Sequence, residues 1–111
     1  MQALPSNPAL TRQVALTQAQ TRTVRDILAR VIPGAEVHVF GSRATGFARP
    51  FSDLDLLVLK PARLSWTQRA DLHDLFEASD LPFLVDFVES GALAKGMTDR
   101  VRGESVPLQD L

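Results

Sequence analysis

The chain has no cysteine, no surplus of either charge and no apolar run approaching a membrane span. Without cysteine there is no disulfide, no thiol nucleophile and no zinc–thiolate centre. Twelve basic residues against thirteen acidic ones leave a net charge of −1. That balance argues against an extended nucleic-acid surface, which needs a basic face, and leaves room only for a local basic site. A bilayer span needs ~20 consecutive apolar residues. The N-terminus also lacks the apolar core of a secretion signal, so a soluble, cytoplasmic protein with no membrane association is expected. There is no internal repeat and no low-complexity tract. The two histidines, His38 and His73, have no ligand spacing to each other and read as structural or exposed.

What is present is ordinary globular material. A hydrophobic fraction of 45% and a charged fraction of 23% over 111 residues suit one domain with one modest core. Met1–Leu16 mixes proline with polar residues and is expected to form a loose arm, leaving residues 17–111 as a single domain. Thr17-Gln-Ala-Gln20 has the form of a capping box. Val24, Ile27, Leu28 and Val31 follow with the spacing of an amphipathic helix, which Pro33-Gly34 ends. Ala35–Phe40 predicts a strand, and Ser42–Gly46 a single helical turn with Ser42 as its N-cap. Asp53–Lys60 predicts a second strand, apolar on both faces and therefore central. A second capping box, Ser65-Trp-Thr-Gln68, opens a helix running to about Ser79. Phe83–Glu89 predicts a third strand, and Met97–Arg102 a short helix. Trp66 and Phe76 are expected in the core. Phe47, Pro50 and Phe51 form an apolar loop available to a nucleobase or a partner, or to core packing. Helices alternating with strands indicate an α/β (α+β) domain, a small sheet with helices on one or both faces.

The aspartates are the exceptions in this pattern. Asp53 and Asp55 share one strand face, and Asp86 is a lone acid in the next apolar strand. Three acids brought together would repel one another and raise at least one proton affinity. A hard divalent cation removes the repulsion. All-oxygen ligands with no histidine or cysteine nearby favour Mg²⁺, or Mn²⁺, over zinc. Gly41 allows close approach of a phosphate to the backbone. Ser42 opens a turn whose N–H groups and hydroxyl suit an anion, and Arg43 adds charge. Taken singly, each residue has an ordinary explanation as a turn glycine or a strand cap. Gly-Ser, ten residues, then Asp-x-Asp in a strand–turn–strand context arises by chance in roughly one chain in several hundred at average residue usage.

Gly41-Ser42, Asp53-x-Asp55 and Asp86 on a later strand together resemble the nucleotidyltransferase fold of the DNA polymerase beta superfamily. The small size resembles its minimal branch, and the likeness covers about residues 17–89. The resemblance implies a small mixed β-sheet flanked by helices, with two Mg²⁺ ions held by Asp53, Asp55 and Asp86 and ATP as the substrate. It also implies Gly41-Ser42 at the β- and γ-phosphates, with Arg43 beside them, and Asp86 as both ligand and base. The chain has no room for the acceptor-binding domain of larger relatives, so the acceptor is expected on a partner. Minimal members commonly pair with a helical HEPN-type toxin, which the transferase, as antitoxin, modifies with AMP. Two alternatives are an antitoxin that acts by occlusion alone and a nucleotide-binding regulatory domain.

Overall fold

The computed structural model describes residues 14–108. Helix α1 (Gln18–Val31) starts at a capping box, in which Thr17 Oγ1 accepts from the Gln20 N–H at 3.0 Å and Gln20 Oε1 accepts from the Thr17 N–H at 2.9 Å. Strand β1 (Glu36–Phe40), a one-turn helix α2 (Ser42–Thr45) and strand β2 (Leu54–Lys60) follow. Helix α3 (Trp66–Ala78) opens on the second capping box, Ser65 with Gln68. Then come β3 (Val85–Glu89), a 3₁₀ turn at Ser90–Ala92, helix α4 (Lys95–Gly103) and β4 (Val106–Pro107).

The sheet order is β3-β2-β1-β4. Strand β1 is antiparallel to β2 and to β4, whereas β2 and β3 are parallel. Parallel neighbours need a crossover, which α3 supplies. The main core lies on one face. Val24 and Leu28 of α1 and Leu72 and Phe76 of α3 pack with Val37, Val39, Leu54, Leu56 and Val58 of the sheet. By strand alternation the other face carries His38, Leu57 and Val88, aligned across three strands. Leu57 has no exposed surface, and His38 Nδ1 lies 2.7 Å from Ser105 Oγ. This face is closed at that level, and the central position expected for β2 is what the structure has.

Several expectations need correction. Residues 1–13 of the expected arm lie outside the described residues, but its last part packs. Val14 is buried in the core, and the Ala15 N–H donates to Arg43 O at 2.8 Å. Trp66 is 83% exposed rather than in the core. As the first residue of α3 it stands six positions before Leu72, about 120° off the buried stripe. Phe76 is buried as expected. Strand β4, with two residues, and the 3₁₀ turn, with three, are too short to show a period in the sequence.

Strand β3 is tied to α3 by an ion pair. Arg69 Nε donates to Glu89 Oε2 at 2.8 Å and Nη2 to Oε1 at 3.1 Å, while the Leu64 N–H donates to Oε1 at 2.7 Å. The Arg69 hydrogen bonds hold the Glu89 carboxyl below the usual glutamate range, against an opposing push from burial. Its folded pKa is therefore depressed. The stabilisation is present above the unfolded pKa, ~4.3, and is lost as pH falls through the folded value. Glu89→Gln should lower the thermal midpoint at pH 7 and leave a gap to wild type that closes on acidification, read by thermal unfolding from pH 7 to pH 3.

Candidate active site

At the end of β1 the chain turns sharply at Gly41. Its φ of 75° and ψ of −156° lie in a region essentially restricted to glycine. A second reason for glycine comes from β2. A Cβ at position 41 would overlap the Asp55 carboxylate, whose Cγ would stand 3.3 Å away. Phe40 and Asp55 are cross-strand partners, so the register of β1 on β2 delivers the carboxylate against the Gly41 backbone. Gly41, not Ser42, occupies the N-cap position of α2, which corrects the expected capping role. Ser42 is the first residue of the turn, and its hydroxyl is not engaged as a cap. The Ala44 N–H and Thr45 Oγ1 both donate to Gly41 O, at 3.0 and 3.2 Å. Gly46 closes the turn in the left-handed region with φ 90°.

These constraints set an expected result. Gly41→Ala should cost about 1–3 kcal/mol from backbone strain, with a further loss from displacing Asp55. Gly46→Ala is also strained, but nothing stands within 4 Å of its Cβ position, so it should cost only the left-handed penalty of about 1–2 kcal/mol. Urea unfolding of the two variants gives the comparison.

The acids meet across β2 and β3. Asp55 and Asp86 are direct partners in the parallel register, which puts both carboxylates on one face, on strands ~4.8 Å apart. Asp53 lies just before β2 and is exposed, as is Asp86; Asp55 is half-buried. Burial pushes the Asp55 carboxyl above its ordinary range, and the charges of Asp86 and then Asp53 push it further. Among the described residues no three His, Asp or Glu side chains form a metal site by themselves. The oxygen donors at Asp55, Asp86 and Asp53 suit Mg²⁺ only as a partial ligand set. That is the usual case for this ion, which is commonly bound by one or two carboxylates with substrate phosphates and water.

Arg43 is the clear departure from expectation. The sequence placed it beside the phosphate turn, but the structure buries it at 5% exposure. Its Nε donates to Ser52 O at 3.0 Å, and its Nη2 donates to Ser52 O at 2.8 Å, Pro50 O at 3.1 Å and Arg49 O at 3.3 Å. Nη1 donates to Ala15 O. The guanidinium also lies 4.0 Å from the centre of the Phe83 ring, a cation–π contact. Burial lowers its pKa. With its donors committed to carbonyls, Arg43 faces no phosphate. It fastens the 49–52 loop, and with it the start of β2 at Asp53, to the turn that carries Ser42. No sequence signal pointed to this, because its partners are main-chain carbonyls.

Phe47 and Phe51 are exposed, which decides against core packing for the loop. His73 is exposed beside Asp74, 3.8 Å away, and Lys60 is exposed near Glu36 at 3.9 Å. Beyond Asp53 a cleft of about 470 Å³ runs between the loop at Phe51, the C-terminal half of α3 and residues 81–85.

Comparison with known proteins matches residues 21–105 to the nucleotidyltransferase domain family. The chain belongs to that family. This nucleotidyltransferase is 31% identical over 98 residues to a Haemophilus influenzae protein named "Probable protein adenylyltransferase MntA", covering 88% of this chain and 86% of the relative. It is also similar to a solved structure described as a minimal nucleotidyltransferase, with a TM-score of 0.63 and 37% identity over 81% of this chain and 90% of that one. The enzyme is therefore a nucleotidyltransferase of the minimal type. It transfers a nucleoside monophosphate from a nucleoside triphosphate, on the mixed-sheet fold the sequence motif implied. No helix among the described residues is long and apolar enough to cross a membrane.

Proposed function

We propose that this nucleotidyltransferase is a Mg²⁺-dependent, cytoplasmic antitoxin that transfers AMP from ATP to a hydroxyl on a helical HEPN-type protein partner. The observation that carries the reading is the Asp55 carboxylate, lodged between Gly41 and Asp86 and partly desolvated there. A carboxylate held at a raised proton affinity is one whose ionised form gains most from a cation. Asp53, Asp55 and Asp86 are the residues that would hold two Mg²⁺ ions together with the triphosphate. When bound, such ions supply Lewis-acid stabilisation of the attacking and leaving oxygens.

The chain's own residues account for the rest. The Ser42 hydroxyl and the N–H groups of Ser42 and Arg43, the first two of α2, hold the β- and γ-phosphates, since the first N–H groups of a helical turn point out of it. Gly41, lacking a Cβ, lets those phosphates and Asp55 share one side of the turn. The acceptor oxygen attacks the α-phosphorus, its bond to the bridging oxygen breaks, and pyrophosphate departs with that oxygen. Asp86, exposed at the edge strand β3, takes the acceptor's proton. Positioning and charge neutralisation supply most of the rate.

Two further points support a protein acceptor. The Haemophilus relative is named as a protein adenylyltransferase. Phe51 and Leu84, which share a cleft with Asp53, are each more than 70% exposed, as an obligate partner surface requires. The test is coexpression with the partner. Asp53→Ala should leave the complex assembled yet fail to neutralise the toxin, and mass spectrometry should show AMP on the partner only with the intact site. Neutralisation by Asp53→Ala equal to wild type would establish occlusion instead.

A further inference from the structure

Apart from Asp53, the cleft shares no residue with the group assigned to the triphosphate. Its walls are Phe51, Pro82 and Leu84, with Phe76 and Phe83 beneath, and Asp53, Glu77 and His73 supply its polar groups. No lysine or arginine lines it. Apart from Asp53, which the acid cluster shares, its charge is the Glu77 carboxylate with no fixed cation, so a nucleic-acid backbone finds no counter-charge there. The same surface favours a cation carried on an apolar segment. Phe51 and Leu84 are 76% and 72% exposed, large apolar side chains flanking one groove. Its position also matters. Asp53 belongs both to the cleft and to the acid cluster, and Leu84 stands two residues before Asp86. Whatever fills the cleft is led to the face where the acids meet.

We propose that this cleft, with Phe51, Pro82 and Leu84 as its apolar walls and Glu77 as its acidic rim, docks the acceptor protein through a segment that interleaves lysine or arginine with apolar side chains. The proposal deepens the nucleotidyl-transfer reading and rests on it. Apolar contact with Phe51 and Leu84 supplies affinity, and Glu77 selects the charge of the entering segment and sets its register. A hydroxyl within or next to that segment then lies beside Asp53 and Asp86.

The test uses the full chain and two fluorescent peptides, one alternating lysine and leucine around a single serine, the other with glutamate in place of every lysine. Anisotropy is measured with and without ATP and Mg²⁺, for wild type, Glu77→Lys and Leu84→Ser. Thermal unfolding checks that both surface variants fold, and if Leu84→Ser does not, Glu77→Lys decides alone. The lysine peptide should bind at least about tenfold more tightly than its glutamate counterpart, and Glu77→Lys should remove that preference. ATP binding, followed in the same samples, should be unchanged by either variant. No binding of the lysine peptide, equal binding of both peptides, or indifference to Glu77→Lys overturns the proposal. So does weakened ATP binding in Leu84→Ser, which makes the cleft a nucleobase pocket, or dimerisation of wild type that Leu84→Ser abolishes. Loss of ATP binding in wild type itself contradicts the nucleotidyl-transfer reading, while the peptide data still report on the cleft.

Discussion

Asp55→Asn is expected to abolish nucleotidyl transfer, by a factor on the order of 10³ or more, and at the same time to raise the thermal midpoint at neutral pH by a few degrees. Both effects have one cause. In the free protein Asp55 is partly desolvated and faces Asp86 and Asp53, so its folded pKa is raised. Folding then favours the protonated carboxyl. Its contribution is complete below the unfolded pKa, ~3.9, and is lost as pH rises through the folded value. At pH 7 the ionised group opposes folding, and asparagine of the same shape removes the charge. The gap between Asp55→Asn and wild type should vanish at pH 3 and open as pH increases, opposite in direction to the gap expected for Glu89→Gln. Added ATP and Mg²⁺ should stabilise wild type by mass action and leave the variant unmoved. Differential scanning calorimetry across pH, with and without the nucleotide, measures all of this. A variant less stable than wild type at pH 7 contradicts the electrostatic account of the site.

Arg43→Ala is expected to be the most destabilising of the single changes, by roughly 3 kcal/mol or more. It leaves the carbonyls of Ala15, Pro50 and Ser52 without the Arg43 donor, and opens a void over the Phe83 ring. A domain of ordinary stability, ~5–15 kcal/mol, loses much of its margin by such a change. Arg43→Lys keeps the charge but not the planar fork or the stacking. It should fold with a smaller loss and transfer on the order of tenfold more slowly, because the loop that sets Asp53 is held by fewer bonds. Urea unfolding and transfer kinetics on the two variants separate a clamp from a phosphate ligand. A stable Arg43→Ala whose only defect is a raised KM for ATP would show that the side chain does reach the nucleotide.

The parts of this structure legible in the sequence were those with local causes. Thr17 with Gln20 and Ser65 with Gln68 bond within four residues, so both helix starts could be read directly. The apolar residues on both faces of Leu54–Leu59 placed β2 in the middle of the sheet. The Gly-Ser and Asp-x-Asp spacing points to residues that the fold does bring together, with Gly41 against Asp55 and Asp55 beside Asp86. What could not be read depends on distant partners. Gly41 is glycine partly because Asp55, fourteen positions on, lies against it. Arg43 looked like an anion ligand by position, yet carbonyls brought in from residues 15 and 49–52 draw it inward. Trp66 looked like core by type, but the cap at Ser65 fixes it on the outer side of α3. The cleft beside Asp53 joins residues 51, 77 and 84, which no linear pattern relates.

The most direct test of the central claim is label transfer from α-labelled ATP, with Mg²⁺, in a lysate of the source organism, comparing the purified protein with its Asp53→Ala and Asp55→Asn variants. The account predicts label on a discrete protein band with wild type and none with either variant. Label that persists in both variants, or no transfer and no Mg²⁺-dependent ATP binding by wild type, would contradict the assignment of these acids to nucleotidyl transfer.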